Sequence, residues 1–372
     1  MHLYVHVPFC QRRCSYCDFS IAVRKRIPTQ EYVDVVLREA VTISAVDLET
    51  IYFGGGTPSL LPPPAIAKLV NELTPTIRNP QFAIRNPEVT LEANPEDVTV
   101  ASARAWHAAG INRVSLGAQS FDDHVLQWMH RPHDAAQTTR AVEALRSAGI
   151  ENISLDLIFG LPEELHRNWE RDLDILCSLR PTHCSLYGLT VEPRTPLDRW
   201  ISRGATHAPD EDRYAEEYLF AHRRLGAENL EFYEVSNAAR PGFRSRHNSA
   251  YWSGKSYTGL GPAAHSFDGT TRRWNLRAWE AYRRAVAEGR SVVESEEVLT
   301  DAQRELERLY MGLRTAEGIS TTYLPRLSAP VRGFVAAGWV EEHAGRLKCT
   351  PEGWLRLDSL VSDLTMKSEI EQ

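Results

Sequence analysis

Three cysteines within eight residues, Cys10, Cys14 and Cys17 in CQRRCSYC, are the side chains of this chain best suited to chemistry. Their separations of three and two intervening residues let one loop aim three thiolates at a common point, which is metal-ligand spacing. A structural zinc site usually draws four protein ligands, and no fourth cysteine or second CxxC stands at a suitable distance, so His6 or Asp18 would have to serve. A 4Fe-4S cluster ordinarily takes four thiolates, so three would leave one iron open to a ligand from outside the chain. Cys177, Cys184 and Cys349 are scattered and read as small buried residues.

The elements that must position these thiols follow from the periodicity. A strand is predicted over Leu3 to Val7, a helix from about Thr29 to Ala45, and further strands at Thr50 to Phe53, Val89 to Glu92, Arg113 to Leu116, Ile153 to Ile158 and His183 to Leu189. Helix-period stretches separate them, and Gly110 and Gly149 sit where a helix C-cap is expected, each in an AGI turn. Six βα units imply an α/β fold with a parallel sheet, curled by right-handed crossovers into a full or partial barrel. Chemistry in such a fold sits at the C-terminal strand ends. There the sequence places the Gly54-Gly55-Gly56-Thr57-Pro58 turn, Glu92, Asn94, Gln119, Asp156 and Tyr187. The glycine turn lacks the Lys-Ser/Thr of a phosphate-binding loop.

Residues 1–235 are therefore expected to form the barrel. Residues 236–295, rich in Gly, Ser and aromatics, read as a functional loop region, and 296–372 as a winged-helix-like module of a helix, two helical stretches and the hairpin pair GWVEEH and GRLKCT. That module carries 13 acidic and 9 basic side chains, which argues against phosphate contacts. The whole chain of 372 residues has a formal net charge of −7, so a nucleic-acid partner is not expected. With 42% hydrophobic residues it can bury a core, yet no apolar run approaches the roughly 20 residues needed to span a bilayer. The start MHLYVHVPFC has no basic, then long apolar, leader, which points to the cytosol and reduced thiols.

CxxxCxxC with Tyr16 before the last cysteine resembles the signature of radical S-adenosylmethionine (SAM) proteins. YVHVPFC, YFGGGTPS, LEANPED, RVSLGAQSFD, LDLIFGLP and GLGPAAHS resemble, in order, blocks of the branch related to oxygen-independent coproporphyrinogen III oxidase. The resemblance implies a partial (β/α)6 TIM-like barrel in which Cys10, Cys14 and Cys17 hold a 4Fe-4S cluster whose open iron binds SAM. Reduction would cleave SAM to a deoxyadenosyl radical. Carried over residue by residue, the SAM contacts would be Tyr4, Tyr16, Gly55, Gly56, Thr57, Glu92, Gln119, Arg131 and Asp156, with Gly188 and His265 corresponding more loosely.

Two departures from the oxidase pattern bear on activity. Phe19 stands where that pattern has a further cysteine, and the chain begins almost at the cluster strand. His247-Asn248-Ser249-Ala250-Tyr251-Trp252 instead resembles the HNxxYW motif of heme-chaperone members of the family. This implies a protein that binds heme and passes it to acceptors, plausibly respiratory and membrane-associated, with His247, Asn248, Tyr251 and Trp252 as heme contacts. The oxidase reading, an enzyme decarboxylating coproporphyrinogen III, stays open beside it, as does a zinc-stapled binding protein.

Overall fold

The computed structural model describes residues 1–41, 43, 48–74, 87–323 and 328–370. Six strands follow one another along the chain: β1 (His2–Val7), β2 (Thr50–Gly55), β3 (Glu88–Ala93), β4 (Arg113–Gln119), β5 (Asn152–Phe159) and β6 (His183–Gly188). They pair in parallel in that order. The register aligns Val5, Phe53, Leu91, Val114 and Ile153 in one row across the sheet, every one of them fully buried. This is why the strands read as apolar runs: helices cover one face and the molecule's interior fills the other.

Helices Thr29–Ala40, Pro63–Leu73, Val100–Ala108, Ala135–Ser147 and Trp169–Ser178 connect the strands. The first buries Tyr32, Val33, Val35 and Val36, one helical stripe against the sheet. The expected extension of this helix to Ala45 is not followed: it ends at Ala40, and residues 42 and 44–47 lie outside the described residues. Reciprocal side-chain to backbone bonds between Thr99 and Ser102, and between Asp134 and Gln137, start two of the helices. Gly110 and Gly149 terminate the same two with φ of +99° and +91°, so both AGI turns hold the left-handed residue their spacing suggests.

The sheet does not close. Tyr257–Leu260 joins the outer edge of β1 in parallel, and His265–Phe267, Thr271–Asn275 and Val293–Val298 continue it antiparallel. Asn237–Ala239 and Glu231–Glu234 extend it antiparallel beyond β6. The result is one open sheet of 12 strands, a partial barrel with lengthened edges. The segment read as loop-rich, 236–295, is thus largely sheet and helix. Its strands are short and polar, and Tyr257–Leu260, the one that anchors this side, pairs with β1 some 250 residues away, beyond the reach of a local pattern.

The C-terminal part has helix Asp301–Arg314, a three-stranded sheet ordered Ile319–Ser320, Arg346–Cys349, Val340–His343, and helices Ser328–Ala336 and Leu357–Ile370. It does not stand apart: one hydrophobic cluster runs from Leu3 through Leu313 and Trp354 to Leu364. Trp354 donates its indole N–H to the Leu313 carbonyl at 3.0 Å. No helix of the described residues is long and apolar enough to cross a membrane.

Candidate functional site

The chain leaves β1 through Pro8 into the thiol loop. Phe9–Cys10 pairs in parallel with Ala22–Val23, and the Arg24 N–H donates to the Cys10 carbonyl at 2.9 Å, so the loop is pinned at its base. Cys10 is buried, while Cys14 and Cys17 are partly exposed. Cys10 Sγ lies 3.3 Å from Thr57 Oγ1 in the glycine turn. Arg131 donates to Cys14 Sγ (3.5 Å), Asn94 Oδ1 (2.6 Å) and the Gly117 carbonyl (3.1 Å), placing a fixed positive charge beside the second thiol. Burial pushes the Cys17 thiol up to about 11 and moves Cys10 the same way. Bare Cys10 and Cys17 thiols stay protonated, and a metal must displace their protons.

Three thiols suit a cluster with one open iron, whereas a closed tetrahedral zinc site would need a fourth protein donor. His6 does not complete a zinc set: its Nδ1 accepts from the Tyr4 hydroxyl (3.1 Å) and its Nε2 donates to the Ser20 carbonyl (3.1 Å). Asp18 is exposed at the rim.

The glycine turn lies against this loop, with the N–H groups of Gly56 and Thr57 donating to the carbonyls of Val7 and Phe9, both at 2.8 Å. Gly55 has φ of +111°, and a Cβ there would fall 2.5 Å from the His6 ring, so both backbone shape and space demand glycine. Beside it, Glu92 accepts from the Tyr52 hydroxyl (2.8 Å) and the Gly55 N–H (3.1 Å). Burial nevertheless raises its carboxyl to about 7, with the Asp156 charge adding to the shift. Asp156, also raised by burial, accepts from Ser115 and Ser154 at 2.9 Å.

Gln119 ends β4 at a register irregularity with φ of +65°, a conformation that costs a non-glycine residue energy and often marks a functional position. Gln119, Arg131 and Asn94 converge over Gly117, where a Cβ would meet Gln119 Nε2 at 2.9 Å and Arg131 Nη2 at 3.3 Å. Tyr4 stacks on Tyr52 with ring centroids 6.1 Å apart. Tyr16 packs on the apolar cluster around Val125, Met129 and Leu197. Gly188 instead belongs to packing: a Cβ would overlap the Tyr214 hydroxyl.

The HNxxYW segment forms helix Arg246–Trp252, capped by Ser245 and by Glu88, whose carboxylate accepts the N–H groups of Arg246 (3.1 Å) and His247 (3.0 Å). His247, expected as a heme contact, does not line the cleft in this structure. The side chain is fully buried, with Nδ1 2.7 Å from Thr50 Oγ1 and Nε2 2.8 Å from the Tyr251 hydroxyl, and its ring stacks on Tyr52. Burial drives its pKa down to about 3. Neither ring nitrogen is free for an iron. Asn248 is half-buried, its N–H held by Ser245 Oγ.

Tyr251 and Trp252, by contrast, face a cleft of about 2180 Å³ that also reaches Tyr4, His6, Gly55 and Glu92. Trp252 has its indole N–H buried without a partner and the Arg314 guanidinium 4.3 Å from its ring centroid. Across the cleft stand His265, Phe267, Arg272, Trp274 and Arg277, with Phe19 at the mouth, 62% exposed. Sequence reasoning missed Tyr52, His2, Thr50 and Glu88 as the scaffold of this site. Tyr52 was legible as a polar interruption in the apolar run before the glycine turn.

Comparison with known proteins places this geometry. The Radical SAM superfamily profile matches residues 4–176. The heme chaperone HemW of Bacillus subtilis is 35% identical over 322 residues, covering 85% of this chain and 84% of its own. HemW of Mycobacterium tuberculosis H37Rv is 35% identical, covering 97% and 94%. The mouse mitochondrial radical S-adenosyl methionine domain-containing protein 1 is 33% identical, covering 100% and 88%. Among solved structures, Escherichia coli coproporphyrinogen III oxidase (HemN) superposes with a TM-score of 0.81 over 97% of this chain and 89% of that one, at 19% identity, a shared fold. An open parallel sheet bearing CxxxCxxC at the end of its first strand, together with these full-length identities, shows that the chain belongs to the HemW family of the radical SAM superfamily.

Proposed function

We propose that this protein is a heme chaperone: it binds heme in the cleft beside its SAM site and hands it to acceptor proteins. The superfamily's cofactors are a 4Fe-4S cluster and SAM, and the proposed holders are the residues gathered at the strand ends. Cys10, Cys14 and Cys17 take the cluster. Arg131 pairs with the SAM carboxylate, Glu92 and Asp156 accept from its amino or ribose groups, and Tyr4, Tyr16, Gly55, Gly56, Thr57 and Gln119 line its bed. The cluster supplies one-electron reduction of the bound sulfonium when both are present.

The observation that carries the heme reading is the cleft itself, walled by Tyr251, Trp252, Phe267 and Trp274 and edged by Arg272 and Arg277. Flat aromatic faces and guanidinium groups suit a planar apolar macrocycle with two carboxylates. The full-length HemW relatives support the same reading. We place its work in the cytosol, with acceptors such as respiratory heme proteins met at a membrane surface.

The test is anaerobic reconstitution with iron, sulfide and SAM, then heme titration followed by absorption, with a parallel assay for coproporphyrinogen III consumption. Near-stoichiometric heme binding without porphyrinogen turnover is expected. Turnover to protoporphyrinogen IX would overturn the chaperone reading in favour of the oxidase.

A further inference from the structure

We infer that His265, not the motif histidine His247, is the side chain that ligates heme iron, with Trp274 holding its imidazole and Arg277 receiving a propionate. The inference rests on the heme reading above and adds the ligand to it.

A histidine that ligates heme iron needs a ring nitrogen that reaches open space beside a flat apolar wall. Two histidines line the cleft, His6 and His265. His6 has both nitrogens engaged, by Tyr4 and by Ser20. His247 is not among the lining residues, and both its nitrogens are held by hydroxyls in the interior. His265 is exposed, and among the described residues its ring has no hydrogen-bond or ion-pair partner.

The strand context of His265 orients it. His265 and Trp274 are directly opposed on antiparallel strands, and their rings stack with centroids 5.9 Å apart at 24°. A cross-strand stack of this kind fixes the plane of the imidazole while leaving its edge free. Two residues along, Phe267 lies under the Arg272 guanidinium at 5.6 Å, extending the same aromatic wall. Arg272 is already committed to Glu297 and Glu307. Arg277 has no ion-pair partner among the described residues and lines the same cleft, so its guanidinium is available to a carboxylate.

The strand is aimed by the preceding turn. The Gly261 N–H donates to Glu39 Oε2 at 2.8 Å, and a Cβ on Gly261 would lie 2.5 Å from the His6 carbonyl, so the GLGPAAHS turn is pressed against β1 next to the SAM bed. A heme on His265 would therefore face Tyr4 and Glu92 across one cleft.

The full-length reconstituted protein, His265→Ala, Arg277→Ala and, as a control, His107→Ala on the outer helix Val100–Ala108 are titrated with hemin and followed in the Soret and visible bands. For His265→Ala the expected result is an affinity loss of at least about tenfold and loss of the wild-type Soret position, with iron content unchanged. Free imidazole should restore the wild-type spectrum to this variant, an outcome that misfolding would not give. Arg277→Ala should weaken binding several-fold without moving the Soret band. A wild-type spectrum and affinity in His265→Ala overturn the ligand assignment alone. Absence of hemin binding by the wild-type protein overturns the heme reading itself.

Discussion

Among the thiols, Cys14 is the one whose neighbourhood is electrostatic, because Arg131 donates to it while also bridging Asn94 and Gly117. Cys14→Ala should reduce reconstituted iron from about four per chain to near none, with the far-ultraviolet dichroism unchanged because the side chain is only partly buried. Iron content equal to wild type would remove Cys14 from the ligand set. Glu92 offers a pH test. Its carboxyl is raised to about 7, so it is ionised above that pH and protonated below it. SAM affinity should therefore fall about tenfold between pH 8 and pH 6. Glu92→Gln should bind SAM weakly with little slope over that range. The sign for stability follows as well: ionising a carboxyl with a raised folded-state pKa costs stability as pH climbs from about 4.5 to about 7, and Glu92→Gln should flatten that decline in urea melts. Tyr4, Tyr52, Tyr187, Tyr251, Asp156 and Arg113 are the other titratable or charged groups acting on Glu92.

Helix Arg246–Trp252 is the element whose motif says one thing and whose placement says another. It spans only seven residues, so its stability comes from its cap and its packing. Ser245 and Glu88 satisfy its first N–H groups, and His247 bolts it to β1 and β2 through Thr50, which also meets His2 Nδ1 at 3.0 Å. His247→Ala would leave the Thr50 and Tyr251 hydroxyls short of a partner in the interior and open a void. A loss of about 2–4 kcal/mol is expected in chemical denaturation. A melt matching wild type would mean that the histidine is not the bolt described. Tyr251, one turn on from His247 and hydrogen-bonded to it, reaches the cleft beside Trp252.

At the scale of the whole molecule, Arg314 joins the C-terminal part to the sheet. It closes helix Asp301–Arg314, pairs with the fully buried Glu234 at 2.9 Å and lies over Trp252 in the cleft wall. Arg314→Ala would strand a buried carboxylate and release the tryptophan. It should cost about 3–5 kcal/mol of stability and weaken heme binding through the loosened wall. Wild-type thermal and heme-binding behaviour would show that the C-terminal part does not brace the cleft.

Much of this was legible in the chain itself. CxxxCxxC, the glycine turn, and the six strands with their AGI turns are local patterns, since thiol spacing, positive-φ demand and apolar alternation act over a few residues. Strand bounds shifted by only a residue or so at most positions; Glu92 and Gln119 stand at strand ends, Asp156 lies within its strand, and Arg131 reaches in from the connection after helix Asp123–Trp128. Three matters waited on the tertiary structure. Residues 236–295 became sheet only because β1 offered a free edge for Tyr257–Leu260. His247 turned inward because Thr50, Tyr251 and Tyr52 surround it, partners drawn from one distant strand and its own helix. His265 was left facing the cleft because its neighbour across the strand, Trp274, fills the space beside the ring without touching its nitrogens. Which histidine is buried and which is offered depends on contacts across the fold, and side-chain type alone does not carry that information.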